Sequence, residues 1–310
     1  MLGNRRKWLA SCVGLMMSVL AAQASAQSVT PPMVYQATED LNTLLGVYHT
    51  ANNSTAAADP DAPALTERLP RHSVQKAREV MIKVQALRGL KGLPETAVPP
   101  MPARDIGPAD VKAMVDTALA STRELRPAFG NPALPAPVAL VDSKTPSDVY
   151  GALVRASLAL DGLGIPAPAP NDVYRVALSV VADLEKVRAA RGSTAPVAEV
   201  EKASGKKPID AYDHAYALLA DLKDLVESHP DFTISKGVIL PNKRTANVKP
   251  GHVLDLVNGA LSEIAAIKAK VGATAPSEIG AIQSGKTPSD VFTVISQARA
   301  LVASLKASKG

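Results

Sequence analysis

Five stretches of the chain carry one apolar ladder, in which the hydrophobic positions step by four, three, four and three residues. It reads Val149, Leu153, Ala156, Leu160, Leu163; then Val173, Ala177, Val180, Leu184, Val187; then Ala211, Ala215, Leu218, Leu222, Leu225; then Val253, Val257, Ala260, Ile264, Ile267; and last Val291, Ile295, Ala298, Val302, Leu305. Such spacing keeps every rung on one face of an α-helix and gives that face a neighbour to bury against. Three earlier stretches follow the ladder more loosely: Val34, Thr38, Leu41, Leu45, Tyr48; Ser73, Ala77, Val80, Val84, Leu87; and Val111, Val115, Ala118, Thr122, Leu125. The pattern predicts eight helices and an all-α fold.

Each ladder opens three residues after a proline, at Pro31, Pro70, Pro108, Pro146, Pro170, Pro208, Pro250 and Pro288. The clearest start is Lys144-Thr145-Pro146-Ser147-Asp148-Val149-Tyr150, which returns as Lys286-Thr287-Pro288-Ser289-Asp290-Val291-Phe292. Thr145 suits the N-cap, Pro146 occupies N1 where no donor is missed, and Asp148 at N3 places a carboxylate at the positive helix end.

Pro170 stands 139 residues after Pro31, Pro208 138 after Pro70, Pro250 142 after Pro108 and Pro288 142 after Pro146. The simplest account is a duplicated four-helix unit, with copies at 27–164 and 165–310 joined by the stiff Gly-Ile-Pro-Ala-Pro-Ala-Pro of residues 164–170. Long proline-rich connectors separate the other helices. They do not force antiparallel neighbours, so tandem helical bundles and a continuous α-solenoid both stay open. Residues 93–108 and 131–137 should be extended, 195–201 and 275–282 could each form two helical turns, and 232–234 with 238–240 could pair as a hairpin across Ser235-Lys236-Gly237.

The N-terminus alters the reading of charge and compartment. Arg5, Arg6 and Lys7 precede an apolar run over 8–22 and the small residues Ala24-Ser25-Ala26, the layout of a secretory signal peptide over 1–26. That run is short of the roughly 20 residues a membrane span needs, so a periplasmic or secreted protein without an integral span after cleavage is expected. Asn4 to Leu9 also resembles a twin-arginine signal, and Sec export remains the preferred reading. Removing the leader lowers the net charge from +5 to +2 and takes away Cys12, the only cysteine. The remaining chain has no basic run beyond Lys206-Lys207 or Lys243-Arg244, which excludes nucleic acid as a partner. Without disulfides or thiolate metal sites, stability must come from packing.

Candidate chemistry is sparse. Residues 280–287 match the G-x-x-x-x-G-K-T phosphate loop by letter, yet no buried strand precedes them and Pro288 removes a donor N–H, so Lys286 and Thr287 read as a coincidence of helix capping rather than a nucleotide site. His49, His72, His214, His229 and His252 have no metal-ligand spacing, and neither a metal nor another cofactor is expected. Asp210, Asp213 and His214 lie close on one helix and read as an N-terminal charge and a solvent face. Tyr35, Tyr150, Tyr174, Tyr212 and Phe292 each stand four residues after a starting proline. They should stack as a layer, either closing an alanine-rich core or presenting rings to a glycan, a protein or a small apolar ligand.

The leading reading is a non-catalytic binding or scaffold protein rather than an enzyme. A small-ligand or sensory module with a pocket near the aromatic layer is the alternative, and a hydrolase a weak third. A pocket lined by several rings would favour the ligand module, a wide apolar stripe a protein partner, and a buried acid–histidine cluster an enzyme. Processing is open to a direct check. The exported form should begin at Gln27, and mass spectrometry that finds an intact N-terminus or a lipid on Cys12 would overturn the compartment reading.

Overall fold

Every helix begins at the proline that opens its ladder. A computed structural model describes residues 28–308; the leader, its cleavage site and Cys12 lie outside the described residues. Eight α-helices are present among them: α1 (Pro31–Ala51), α2 (Pro70–Leu90), α3 (Pro108–Arg123), α4 (Pro146–Gly162), α5 (Pro170–Ala190), α6 (Pro208–Ser228), α7 (Pro250–Lys270) and α8 (Pro288–Ala307). Short 3₁₀ turns occur at Arg126–Phe129 and Pro230–Phe232. None of the described helices is long and apolar enough to cross a membrane.

The helix starts follow the expected chemistry. The Thr145 hydroxyl accepts from the Asp148 N–H at 3.3 Å while Asp148 accepts from the Thr145 N–H at 2.8 Å, and Thr287 with Asp290 repeats the pair. Hydrogen bonds from the Thr145 hydroxyl and N–H hold Asp148 below the usual carboxylate range, and Thr287 does the same for Asp290. Asp110, Asp172 and Asp210 accept from the N-cap N–H of α3, α5 and α6. In α2 and α7 the same place is filled by His72 and His252, each accepting through Nδ1.

Pro31, Pro70, Pro108 and Pro146, with Val34, Ser73, Val111 and Val149 one turn later, surround a single small hollow. The four starts therefore meet at one end, and α1 to α4 run in the same direction. α1 packs on α3 and α4, as does α2, so α1 lies diagonal to α2 and α3 diagonal to α4. A 21-residue helix is about 31 Å long, and the connectors 52–69, 91–107 and 124–145 are long enough to return the chain along that length at about 3.3 Å per residue. The second set repeats the arrangement, with α5 and α6 each packed on α7 and α8. Lys206 N–H donates to Ser289 and Lys286 N–H to Asn171, which brings the starts of α6, α8 and α5 together. Only residues 163–169 separate α4 from α5. Across the junction α2 and α7 pack antiparallel, with Arg71 beside Glu263 and Lys76 beside Asp255.

All forty ladder rungs are buried. Polar rungs satisfy themselves on the backbone: Thr38 donates to Val34 O, Thr122 to Ala118 O and Ser73 to Pro146 O. Tyr48, fully buried, stacks on Phe129 at 4.3 Å and donates to Thr122 O.

Three connector expectations are corrected. Residues 195–201 and 275–282 are not helical; Arg188 and Ser304 hold Ala195 O, Lys186 holds Pro276 O, and Ser277 bridges to Met101, so side chains and a neighbouring connector satisfy this backbone in place of helical bonds. The segment 232–240 turns as expected, with Gly237 N–H bonded to Ile234 O, but forms no strand pair. Ile234 and Val238 go into the second core instead.

Gly162, at the end of α4, lies against the connector that leaves α1. An ideal Cβ there would stand 2.2 Å from Thr55 O and 2.9 Å from both Ala56 Cα and His49 Cε1. Gly162→Ala, which helix propensity alone would favour by about 1 kcal/mol, should therefore destabilise by ~1–3 kcal/mol through overpacking. Urea unfolding checks this, and a stabilised variant would show that the contact is not close.

Candidate functional site

The α2 sequence reads as an ordinary amphipathic helix, yet the structure buries both of its faces. Ala77, Val80, Val84 and Leu87 enter the first core, while Arg71, His72, Gln75, Lys76, Arg78 and Glu79 are buried on the other side. That polar side forms a seam with α7, α4 and the connector 229–249. Charge removed from water is costly unless it is paired and hydrogen-bonded, and the seam provides the partners.

At its centre Glu263 of α7 has no solvent exposure. It accepts from Arg71 Nε and His72 Nε2, both at 2.8 Å, and from Ile239 N–H at 3.1 Å. Burial pushes Glu263 up, but the His72 hydrogen bond and the Arg71 charge outweigh it and leave the carboxyl below its ordinary value. Arg71 also donates to Ser235 O and Gly237 O, which pins the connector turn. Beside this group a file of alternating charges runs from α7 to α4. Lys76 bonds Asp255 at 2.6 Å and Glu79 at 2.8 Å; Lys83 bonds Asp161 at 2.7 Å and Ser157 at 2.8 Å; Ser157 donates to Glu79 at 3.0 Å. Burial disfavours the Lys76 charge, yet Asp255 and Glu79 raise its pKa well above the usual lysine value.

A buried acid–histidine pair is thus present, and its geometry decides what it can do. His72 Nδ1 accepts from Leu69 N–H at 2.9 Å, so Nε2 carries the proton that goes to Glu263. Both ring nitrogens are spent, and burial holds the imidazole neutral by lowering its pKa. The nearby Ser262 hydroxyl donates to Asn258 O at 3.0 Å. No base faces a nucleophile here, so the arrangement can hold and orient, but it lacks the hydrogen bond that nucleophilic catalysis starts from.

Alongside the seam lies a cavity of about 60 Å³, lined by Arg68, Gln75, Tyr150 and Asp255 on its polar side and by Leu219 and Leu256 on its apolar side. At the ~10–15 Å³ of such space that one water takes, it has room for about four waters. Gln75 Nε2 donates to Asn258 Oδ1 at 2.8 Å, and Asn258 Nδ2 donates to Glu79 at 3.4 Å. Because an ionised carboxylate only accepts, the order of this chain fixes both amides. Gln75 Oε1 is left buried without a partner, as is Arg68 Nε.

The five sequence-selected rings do not stack on one another. Tyr35 lies under Lys144 at 4.5 Å, Tyr174 under Lys286 at 4.4 Å and Phe292 under Lys206 at 4.5 Å, with His214 stacked on Phe292 at 4.1 Å. Tyr150 takes Arg68 at 4.7 Å and Lys76 at 6.0 Å. Tyr212 is buried and its hydroxyl accepts from Arg244 N–H. A cation before a helix start thus covers a ring on another helix, a contact worth about 0.5–1 kcal/mol where the charge stays wet. Of the five, Tyr150 is the one that lines the cavity.

The remaining motifs are dispersed. Lys286 sits over Tyr174 and Thr287 caps α8 through Asp290, leaving neither free for a phosphate. Asp210 caps α6, Asp213 pairs with Lys243, and His214 contacts Ser296 and Arg299. No group of three or more metal-capable side chains occurs among the described residues. Sequence reasoning missed the seam because Arg71, Lys76, Glu79 and Lys83 look like a solvated helix face. The available signal was capping: α2 and α7 carry histidine where five other helices carry aspartate, and these two helices meet.

Two outcomes test the seam. Glu263→Ala should cost ~3–5 kcal/mol in urea unfolding, as for a broken buried ion pair, and Glu263→Gln less. Burial lowers the pKa of His72, His214 and His252, with His214 brought to about 4. These rings stay neutral in the fold and take up protons on unfolding, so stability should fall as pH drops from about 6.5 towards 4. A urea midpoint that does not change between pH 7 and 5 would contradict this.

Comparison of the chain with protein-family models, with curated proteins and with solved structures finds no match in any of the three.

Proposed function

We propose that the chain is a periplasmic or secreted, non-catalytic binding protein built from a duplicated four-helix unit, with copies at 27–164 and 165–310. The matched offsets between helix starts and the shared diagonal pairing of α1–α4 and α5–α8 support the duplication. One observation carries the binding reading: the seam cavity is lined by two side chains, Gln75 and Arg68, that keep hydrogen-bonding capacity no neighbour uses. Natural cores rarely leave such groups unmet without a reason.

The same observation favours the small-ligand or sensory form over a scaffold for a protein partner. The large exposed apolar side chains Leu65, Leu90, Leu134, Leu140, Val141, Val197 and Ile282 come from five segments of the chain, three of them on the connector 124–145. Hydrolysis is the least supported reading, because His72 has no free nitrogen for a serine.

A ligand at about a hundred times its Kd adds ~2.7 kcal/mol to the folded state, so melting curves read the proposal directly. The mature chain should melt higher in the presence of one class within a panel of small carboxylates, amides, amines and sugars. A flat panel would overturn the small-ligand reading.

A further inference from the structure

Resting on that reading, we propose that the seam cavity takes a short-chain monocarboxylate of two to four carbons, and prefers one bearing a hydroxyl. Four charged side chains line the cavity, and Lys76 bonds both acids among them, Glu79 and Asp255. Arg68 has no acidic partner within ion-pair distance among the described residues; its guanidinium lies over the Tyr150 ring at 4.7 Å, and its Nε is buried without an acceptor. A planar fork stacked on a ring and lacking an anion is complementary to a carboxylate, which it binds through two parallel hydrogen bonds.

Gln75 Oε1 supplies the complementary demand. It is an acceptor by the order of the Gln75–Asn258–Glu79 chain, it belongs to a side chain only 4% exposed, and it wants a donor. A carboxylate cannot provide one, whereas a hydroxyl on the same molecule can. Leu219, Leu256, Ile239 and Pro241 also line the cavity and offer apolar surface to a short alkyl body. Size sets the limit, since about 60 Å³ holds a carboxylate head but not a large ring. Asp255, whose side chain is 46% exposed, lines the cavity together with Glu79, and both carry negative charge. A second carboxylate or a doubly charged phosphate would meet that charge, which selects for a single negative charge.

Isothermal titration of the mature chain tests the proposal with four probes: 2-hydroxypropanoate, propanoate, propanamide and butanedioate. The first two should bind in that order, with Kd on the order of 1 mM or tighter, and the neutral amide and the dianion should bind at least tenfold more weakly. Arg68→Gln should weaken propanoate roughly tenfold to a hundredfold, the range of a charge-assisted hydrogen bond, and Arg68→Lys should fall between. Gln75→Leu should remove the preference for the hydroxy acid while propanoate still binds. Gly259 of α7 lines the cavity, and an added Cβ would meet Leu219 at 3.9 Å, so Gly259→Leu should fill the space and abolish binding, with circular dichroism reporting whether the helices persist. Should it fail to fold, Arg68→Gln decides alone. Equal binding of propanoate and propanamide, or an unchanged affinity in Arg68→Gln, overturns the carboxylate assignment. If instead a sugar or amine binds and Gly259→Leu abolishes it, the binding-protein reading stands and this inference fails.

Discussion

Direction is the constraint on which the structure depends. Four helices that share one starting end cannot be joined by tight turns, because each chain end lies about a helix length, ~31 Å, from where the next helix must begin. Long connectors follow from that, and so does their composition: prolines keep them extended and fix where each helix resumes. Parallel packing also sets the helix dipoles side by side, an unfavourable arrangement that antiparallel bundles avoid. The N3 carboxylates of α3, α4, α5, α6 and α8 answer it locally by putting negative charge at the positive ends. The antiparallel placement of the second set answers it globally.

Between the two sets the chain uses polarity where a hydrophobic interface would have been possible. Buried ion pairs contribute little net stability, and they lose much when mis-registered. Glu263 accepts from two side chains and one backbone N–H, so sliding α7 along α2 by a turn would strand a buried charge on both sides. Apolar side chains would tolerate such a slip far better. Contacts between connectors add to the definition, with Arg244 on Asp59 and Lys236 on Glu67 tying 229–249 to 52–69. The seam fixes the relation of the two sets more than it holds them together.

How far this could be read from the chain depends on which physics was involved. Helix starts were legible to the residue, because a proline at N1 and a ladder three residues later are local signals, and even the polar rungs Thr38, Ser73 and Thr122 proved buried. The rings stand at the helix starts as expected but do not stack as a layer, since the cations Lys144, Lys206 and Lys286 that cover them come from other parts of the chain. The seam was illegible for a similar reason. A lysine at 76 or 83 looks solvated until α4 and α7 are placed around it, and nothing local distinguishes Glu263 from a surface glutamate. The phosphate-loop match was set aside on context, and its Lys286 and Thr287 make a ring contact and a helix cap.

The diagonal placement of α1 and α2 has a consequence for how the chain reaches this state. Most helical bundles can start from a hairpin of two neighbouring helices, whose contacts close only a short loop. Here α1 packs on α3 and α4 rather than on α2, so its first stabilising contacts must span some seventy residues or more. Loop closure on that scale is an entropic cost met before α1 joins the core. The chain combines the local regularity of a helical protein with the long-range connectivity of a β-sandwich, and its folding rate should follow the connectivity.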